Sequence, residues 1–185
     1  MKATSQVGLR YTGETAGTLP KIVGTSDASW ATHVDDCTSQ GGYFFNLCGA
    51  AVPWRSYRIK RVVHSGTEAE YVTCSDASRM AEYHRNVLVE LGLFDEGLCM
   101  QILTDSKGAE AFVGNPVQRR RTKHIGMPYH YVRQLVDEGV VTFDQFASKD
   151  NVAYVLTKAA SRPFHSFAVQ KFGLTIQDSF VLIQR

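Results

Sequence analysis

Residues 64–74 read HSGTEAEYVTC, with two glutamates two positions apart at the start of a helical pattern. Ser65, Gly66, Thr67 and Glu68 fit S-x-x-E, the capping box, in which the serine hydroxyl and the glutamate carboxylate satisfy otherwise unpaired backbone N–H groups. Glu68 therefore has a structural job. At about 100° per residue, Glu70 points away from Glu68 and falls within roughly 40° of Cys74, Ala77, Ala81 and Leu88. That is the small, apolar face a helix lays on a sheet. A carboxylate there costs on the order of several kcal/mol unless it is paired or bound to a cation. Alternatively, it faces water and gains from the positive end of the helix dipole.

The pattern around this helix, which runs from Thr67 to about Gly92, is strand-rich before it and alternating after it. KIVGTSDASW (21–30) reads as a strand broken at Gly24, GGYFFNLCGAAV (41–52) as an apolar run behind a turn, and WRSYRIKRVV (54–63) as a strand. In the last of these Tyr57, Ile59 and Arg61 alternate with Arg58 and Lys60, one face apolar and the other basic. After the helix, CMQILTD (99–105) is a short strand that stops at an acid. AEAFVG (109–114) reads as a short helix, TKHIGMPYHYVRQLVDEG (122–139) as a longer one disturbed near Gly126 and Pro128, and VVTFDQF (140–146) as a fifth strand. Two more helices follow, DNVAYVLTKAAS (150–161) and RPFHSFAVQKFG (162–173), the second opened by Pro163. An antiparallel meander followed by alternating helix and strand implies an α/β fold with a mixed sheet of about five strands and helices packed on it.

Two further acids share the placement of Glu70. Asp27 interrupts the first strand and Asp105 ends the fourth. Each alone fits a turn residue at a strand end. If the two strands are neighbours in mid-sheet, Asp27, Glu70 and Asp105 converge on one spot. All-oxygen ligands of this kind describe a hard-cation site of the Mg²⁺ type. Two such ions about 4 Å apart can activate a water and stabilise the leaving oxygen of a phosphodiester.

The 185 residues are 44% hydrophobic and 21% charged, which suits one well-buried domain. A net charge of only +2 means that a nucleic-acid partner must be held by local basic clusters. Two exist, WRSYRIKR (54–61) and QRRRTKH (118–124), and a solvated face is the alternative reading of each. Cys37, Cys48, Cys74 and Cys99 lie far apart with no C-x-x-C pair, which argues against zinc and for reduced thiols in an intracellular protein. No apolar run approaches the roughly 20 residues that span a bilayer, so no membrane partner is expected.

With these residues in place, the chain resembles the ribonuclease H domain of copia-type LTR retrotransposon Pol polyproteins. The ordered motifs SDASWA, GGYFFNLCGAAVPW, SGTEAEY, LTDSKGA, GNPV, RTKHI, YHYVR, DEGVV, LTK and KFGL carry the likeness. It covers nearly the whole chain. The resemblance implies a ribonuclease H-like fold over residues 21–174, preceded by a segment (1–20) that follows a reverse transcriptase connection and followed by a tail (175–185). It implies hydrolysis of the RNA strand of RNA–DNA hybrids by two Mg²⁺ ions, with Mn²⁺ as a substitute and a reverse transcriptase domain as a further partner. Asp27 would bridge both ions, and Glu70 and Asp105 would hold the second. Arg55, Arg58, Lys60, Arg119, Arg120, Arg121, Lys123 and His124 would meet the nucleic acid, His124 by family position only.

One departure touches the site. The family's fourth acid lies in a Q-x-A-D-x-x-T-K run, and here its place is taken by Tyr154 in DNVAYVLTK. A phenol, with a pKa near 10, is a poor Mg²⁺ ligand at neutral pH. Asp150, four residues earlier, would reach an ion through water or else only favour a helix amino terminus. The alternative to an enzyme is therefore an inactive ribonuclease H-like module that binds nucleic acid or another protein.

Overall fold

The computed structural model describes residues 6–12, 22–33, 35–105 and 127–176. Five strands form the main sheet: β2 (Ile22–Ser29), β3 (Ser39–Leu47), β4 (Ala50–Ile59), β5 (Met100–Thr104) and β6 (Val141–Gln145). Their order is β4-β3-β2-β5-β6. The β2–β3 and β3–β4 pairs are antiparallel, while β2–β5 and β5–β6 are parallel. This is the expected meander followed by parallel strands, with the first and fourth sequence strands as central neighbours.

Among the described residues, three α-helices accompany the sheet, α1 (Gly66–Glu90), α2 (Met127–Asp137) and α3 (Arg162–Lys171). Strand alternation divides the core between the two faces of the sheet. Tyr43 and Phe45 join Cys74, Ala77 and Ala81 of α1 and Val132 and Leu135 of α2 in the larger cluster. Phe44, between them, turns the other way to meet Val152, Ala168 and Phe172, and its ring stacks on Phe172 at 4.4 Å. A small second sheet pairs β1 (Val7–Leu9) antiparallel with β7 (Leu174–Ile176). Gly173, just before β7, has φ +71°, and a Cβ there would lie 2.6 Å from the carbonyl oxygen of Gly49, so the KFGL stretch needs its glycine.

Several local expectations are corrected. Gly24 does not break its strand: β2 runs through it, and the missing side chain makes room for the ring of Phe45, its partner on β3. Asp27 lies within that strand and does not interrupt it. Arg61 lies beyond the end of β4 and is exposed, so the inward alternation stops at Ile59. At the start of α1, Ser65 accepts from the Glu68 N–H at 3.1 Å as expected, but Glu68 Oε2 accepts from His64 N at 2.8 Å and not from Ser65. Residues 150–161 are not an α-helix but two 3-10 turns, Ser148–Asp150 and Val152–Leu156. Asn151 separates them with an extended backbone, and its side-chain oxygen caps Ala153 N at 3.1 Å, the local competition by which Asn ends one turn and starts another. The short helix expected at 109–114, the basic cluster at 118–124 and the tail beyond residue 176 lie outside the described residues.

Candidate metal centre

In the parallel β2–β5 pair, Ser26 stands opposite Thr104. One residue further on each strand places Asp27 beside Asp105 at the same edge of the sheet. The amino-terminal turn of α1 reaches that edge, and Glu70 Oε1 accepts from the Ala28 N–H at 3.3 Å. One carboxylate oxygen from each of Asp27, Glu70 and Asp105 lies within 4.8 Å of the others. Residues separated by up to 78 positions in the chain thus share one corner, and the face predicted for Glu70 is correct: Cys74, Ala77 and Ala81 are all fully buried.

The three acids are held unequally. Asp27, 2% exposed, receives the Thr157 hydroxyl on Oδ2, and Lys158 Nζ lies 3.7 Å from the same oxygen. Asp105 Oδ1 accepts from Asn151 Nδ2 at 3.3 Å. Glu70 Oε2 is buried and has no hydrogen-bond partner. Burial, and then the charges of Asp27 and Asp105, raise the Glu70 carboxyl to about 8. Burial also raises Asp27, against the lowering effect of Thr157 and Lys158. A buried carboxylate oxygen without a donor, beside two more carboxylates, is a set that a hard divalent cation fits, because the ion supplies the missing partner and the missing charge.

The remaining sequence candidates are placed as follows. Asp150 is exposed at the end of the first 3-10 turn and is not part of the acid cluster. Tyr154 is half-buried, packed edge-on to Phe164 at 5.6 Å with Lys158 Nζ 4.9 Å from its ring centroid. Arg55, Arg58 and Lys60 are exposed, but Arg58 is engaged by Asp36 and the Thr38 hydroxyl, and Arg55 lies over the Tyr57 ring at 4.4 Å. Arg119, Arg120, Arg121, Lys123 and His124 lie outside the described residues. Cys74 is fully buried, and burial pushes its thiol up to about 12, which keeps it protonated and inert. Sequence reasoning missed the roles of Asn151, Thr157 and Lys158. The signal for the last two is the LTK motif at 156–158.

No family model matches the chain. It is 37% identical over 151 residues, 81% of its length, to the retrovirus-related Pol polyprotein from transposon RE1 of Arabidopsis thaliana. It is 33% identical over 146 residues, 79% of its length, to the corresponding polyprotein from transposon TNT 1-94 of Nicotiana tabacum. The chain is homologous to the Pol polyproteins of copia-type transposons. It spans about a tenth of the length of these Pol relatives, 10% and 11% respectively. Among solved structures, a ribonuclease H1 isolated from compost by a metagenomic approach superposes with a TM-score of 0.52 at 16% identity, covering 74% of this Pol-like chain and 92% of the other. The fold is that of ribonuclease H, as the ordered motifs imply.

Proposed function

We propose that the chain is a ribonuclease H-type domain that hydrolyses the RNA strand of RNA–DNA hybrids with divalent-cation help. The observation that carries this reading is the convergence of Asp27, Glu70 and Asp105 around the unpartnered Glu70 Oε2. Those three side chains would hold the cation, and their oxygen-only chemistry favours Mg²⁺, with Mn²⁺ as a substitute. A bound ion would supply Lewis-acid stabilisation of phosphoryl oxygens and a more acidic water.

The chain's own residues set the stage for that chemistry. Thr157 and Lys158 fix the rotamer of Asp27, Asn151 fixes Asp105, and Ala28 N–H fixes one oxygen of Glu70. The pre-set arrangement means that little reorganisation is needed when phosphate arrives. Exposed Arg55 and Lys60 on and beside β4 would neutralise backbone phosphates, as would the arginine cluster at 119–121. The homology supports action within a Pol polyprotein, and on this reading the domain works inside the cell beside a reverse transcriptase domain.

The test is cleavage of a hybrid labelled on its RNA strand, with Mg²⁺ or Mn²⁺. The native chain cuts and Asp27→Asn abolishes cutting. A second reading, an inactive nucleic-acid-binding module, is favoured by one observation, the phenol of Tyr154 packed on Phe164 beside the site. It wins if the native chain binds hybrid but leaves it intact while Tyr154→Asp cuts.

A further inference from the structure

The Val152–Leu156 turn and the two residues after it form a clamp on Asp27. The N–H groups of Thr157 and Lys158 both donate to the carbonyl of Tyr154, at 3.1 and 3.0 Å. This brings the Tyr154 ring, the Thr157 hydroxyl and the Lys158 ammonium together. The ring is held from one side by Phe164 and carries Lys158 Nζ at 4.9 Å from its centroid. From there the ammonium lies 3.7 Å from Asp27 Oδ2, the oxygen that also accepts the Thr157 hydroxyl.

A carboxylate that bridges two cations must give an oxygen to each. In Asp27, Oδ2 is already committed to the hydroxyl and the ammonium, so an ion shared with Glu70 and Asp105 would meet Oδ1. A second divalent ion at Oδ2 would come within a few ångströms of the ammonium, which lies 3.7 Å from that oxygen, and the two like charges would repel. Tyr154, the oxygen-bearing side chain on this turn, is a phenol where a carboxylate would have supplied a compensating charge. The charges close without a second ion: three carboxylates are balanced by one divalent cation and one lysine.

We propose that Lys158 is a built-in counter-cation, standing where a second metal ion would bind, so that the chain takes one divalent ion at Asp27, Glu70 and Asp105. The proposal rests on the reading of those three acids as a cation site. Lys158 acts through Asp27 and is a positioning residue. Its ammonium holds Oδ2 turned away from the ion and sets the net charge that the ion meets. The cation–π contact with Tyr154 keeps the ammonium there when the site is empty.

Titration of the full chain with Mn²⁺, followed by calorimetry and by the electron paramagnetic resonance of free Mn²⁺, tests this without reference to cleavage. The native chain binds one ion. Lys158→Gln, which removes the charge, binds the ion about tenfold more tightly, whereas Lys158→Arg, which keeps it, stays close to native. The double variant Tyr154→Asp with Lys158→Gln, which adds a carboxylate as it removes the ammonium, binds two. Circular dichroism melting confirms that each variant is folded before titration. Two ions on the native chain overturn the proposal and leave the three-acid site standing. One ion with no gain of affinity in Lys158→Gln, or a second ion failing to enter the double variant, also overturns it. No ion on any variant removes the cation-site reading itself, and the proposal with it.

Discussion

Nδ2 of Asn151 donates to two acceptors at once, the main-chain carbonyl of Ser26 at 3.0 Å and Oδ1 of Asp105 at 3.3 Å. Asn151 is 1% exposed and Ser26 is fully buried, whereas Asp105 is half-buried. One amide thereby ties the turn that carries Thr157 and Lys158 to the ends of β2 and β5. Asn151→Ala leaves a buried carbonyl and a carboxylate oxygen without this donor. The expected loss is roughly 1–3 kcal/mol of stability, read from urea unfolding, with weaker Mn²⁺ binding because Asp105 is no longer held.

The acid corner makes stability depend on pH. Burial, then Asp27 and Asp105, raises Glu70 from 4.5 to about 8. The folded chain thus binds this proton more tightly than the unfolded chain does. The stabilisation it gives is fully present below about 4.5 and is lost as pH rises through about 8. In chelator, the native chain should lose unfolding free energy across that window, at about 1.4 kcal/mol for each tenfold difference in proton affinity at most. Glu70→Gln should flatten the curve, and added Mg²⁺ should restore the native chain at the alkaline end. Thermal melts at stepped pH, with and without Mg²⁺, check both.

Gly42 faces Asp27 across the β2–β3 pair and also lies under the 152–156 turn. A Cβ on it would sit 2.6 Å from Leu156 Cβ and 3.0 Å from Thr157 Cγ2. Gly42→Ala must push that turn outward and draw Thr157 off Asp27. Overpacking of this kind costs roughly 1–3 kcal/mol. At a temperature where the variant remains folded by circular dichroism, its Mn²⁺ affinity should still fall. An affinity equal to native would show that the Thr157 contact does not position Asp27.

Hybrid binding should separate the basic residues of the β4 region. Lys60 is exposed with its charge unengaged by any ion pair among the described residues, whereas Arg58 is bonded to Asp36. Lys60→Ala should reduce the slope of log affinity against log salt by about 1, the signature of one lost phosphate contact. Arg58→Ala should change it less, since that guanidinium is already neutralised within the chain. Fluorescence anisotropy of a labelled hybrid over a salt series distinguishes the two.

The readable part of the site was the part set by local periodicity. Helix geometry alone separates Glu70 from Glu68, and an acid at the end of an apolar run marks Asp105. The neighbouring of β2 and β5 enters the sequence reading only as a condition, because the strands that flank α1 are β4 and β5, which the sheet order keeps apart. Asn151 was not legible as a site residue, and Lys158 was legible only through the LTK motif, because their contacts with Ser26 and Asp27 cross more than 120 positions and depend on a turn that is 3-10 and not α-helical. A repeat of three residues in a 3-10 turn and of 3.6 in an α-helix differ by too little to be read over five residues. Gly24 was misread as a breaker for a similar reason: the need for glycine lies in the ring of Phe45 on the next strand, not in the backbone of its own.

The central claim is that Asp27, Glu70 and Asp105 form one cation site, and Mn²⁺ binding to three single variants tests it most directly. With Asp27→Asn, Glu70→Gln and Asp105→Asn each confirmed as folded, electron paramagnetic resonance titration should show that every one of them weakens the same site. Affinity left at the native value in any of the three would contradict a shared site.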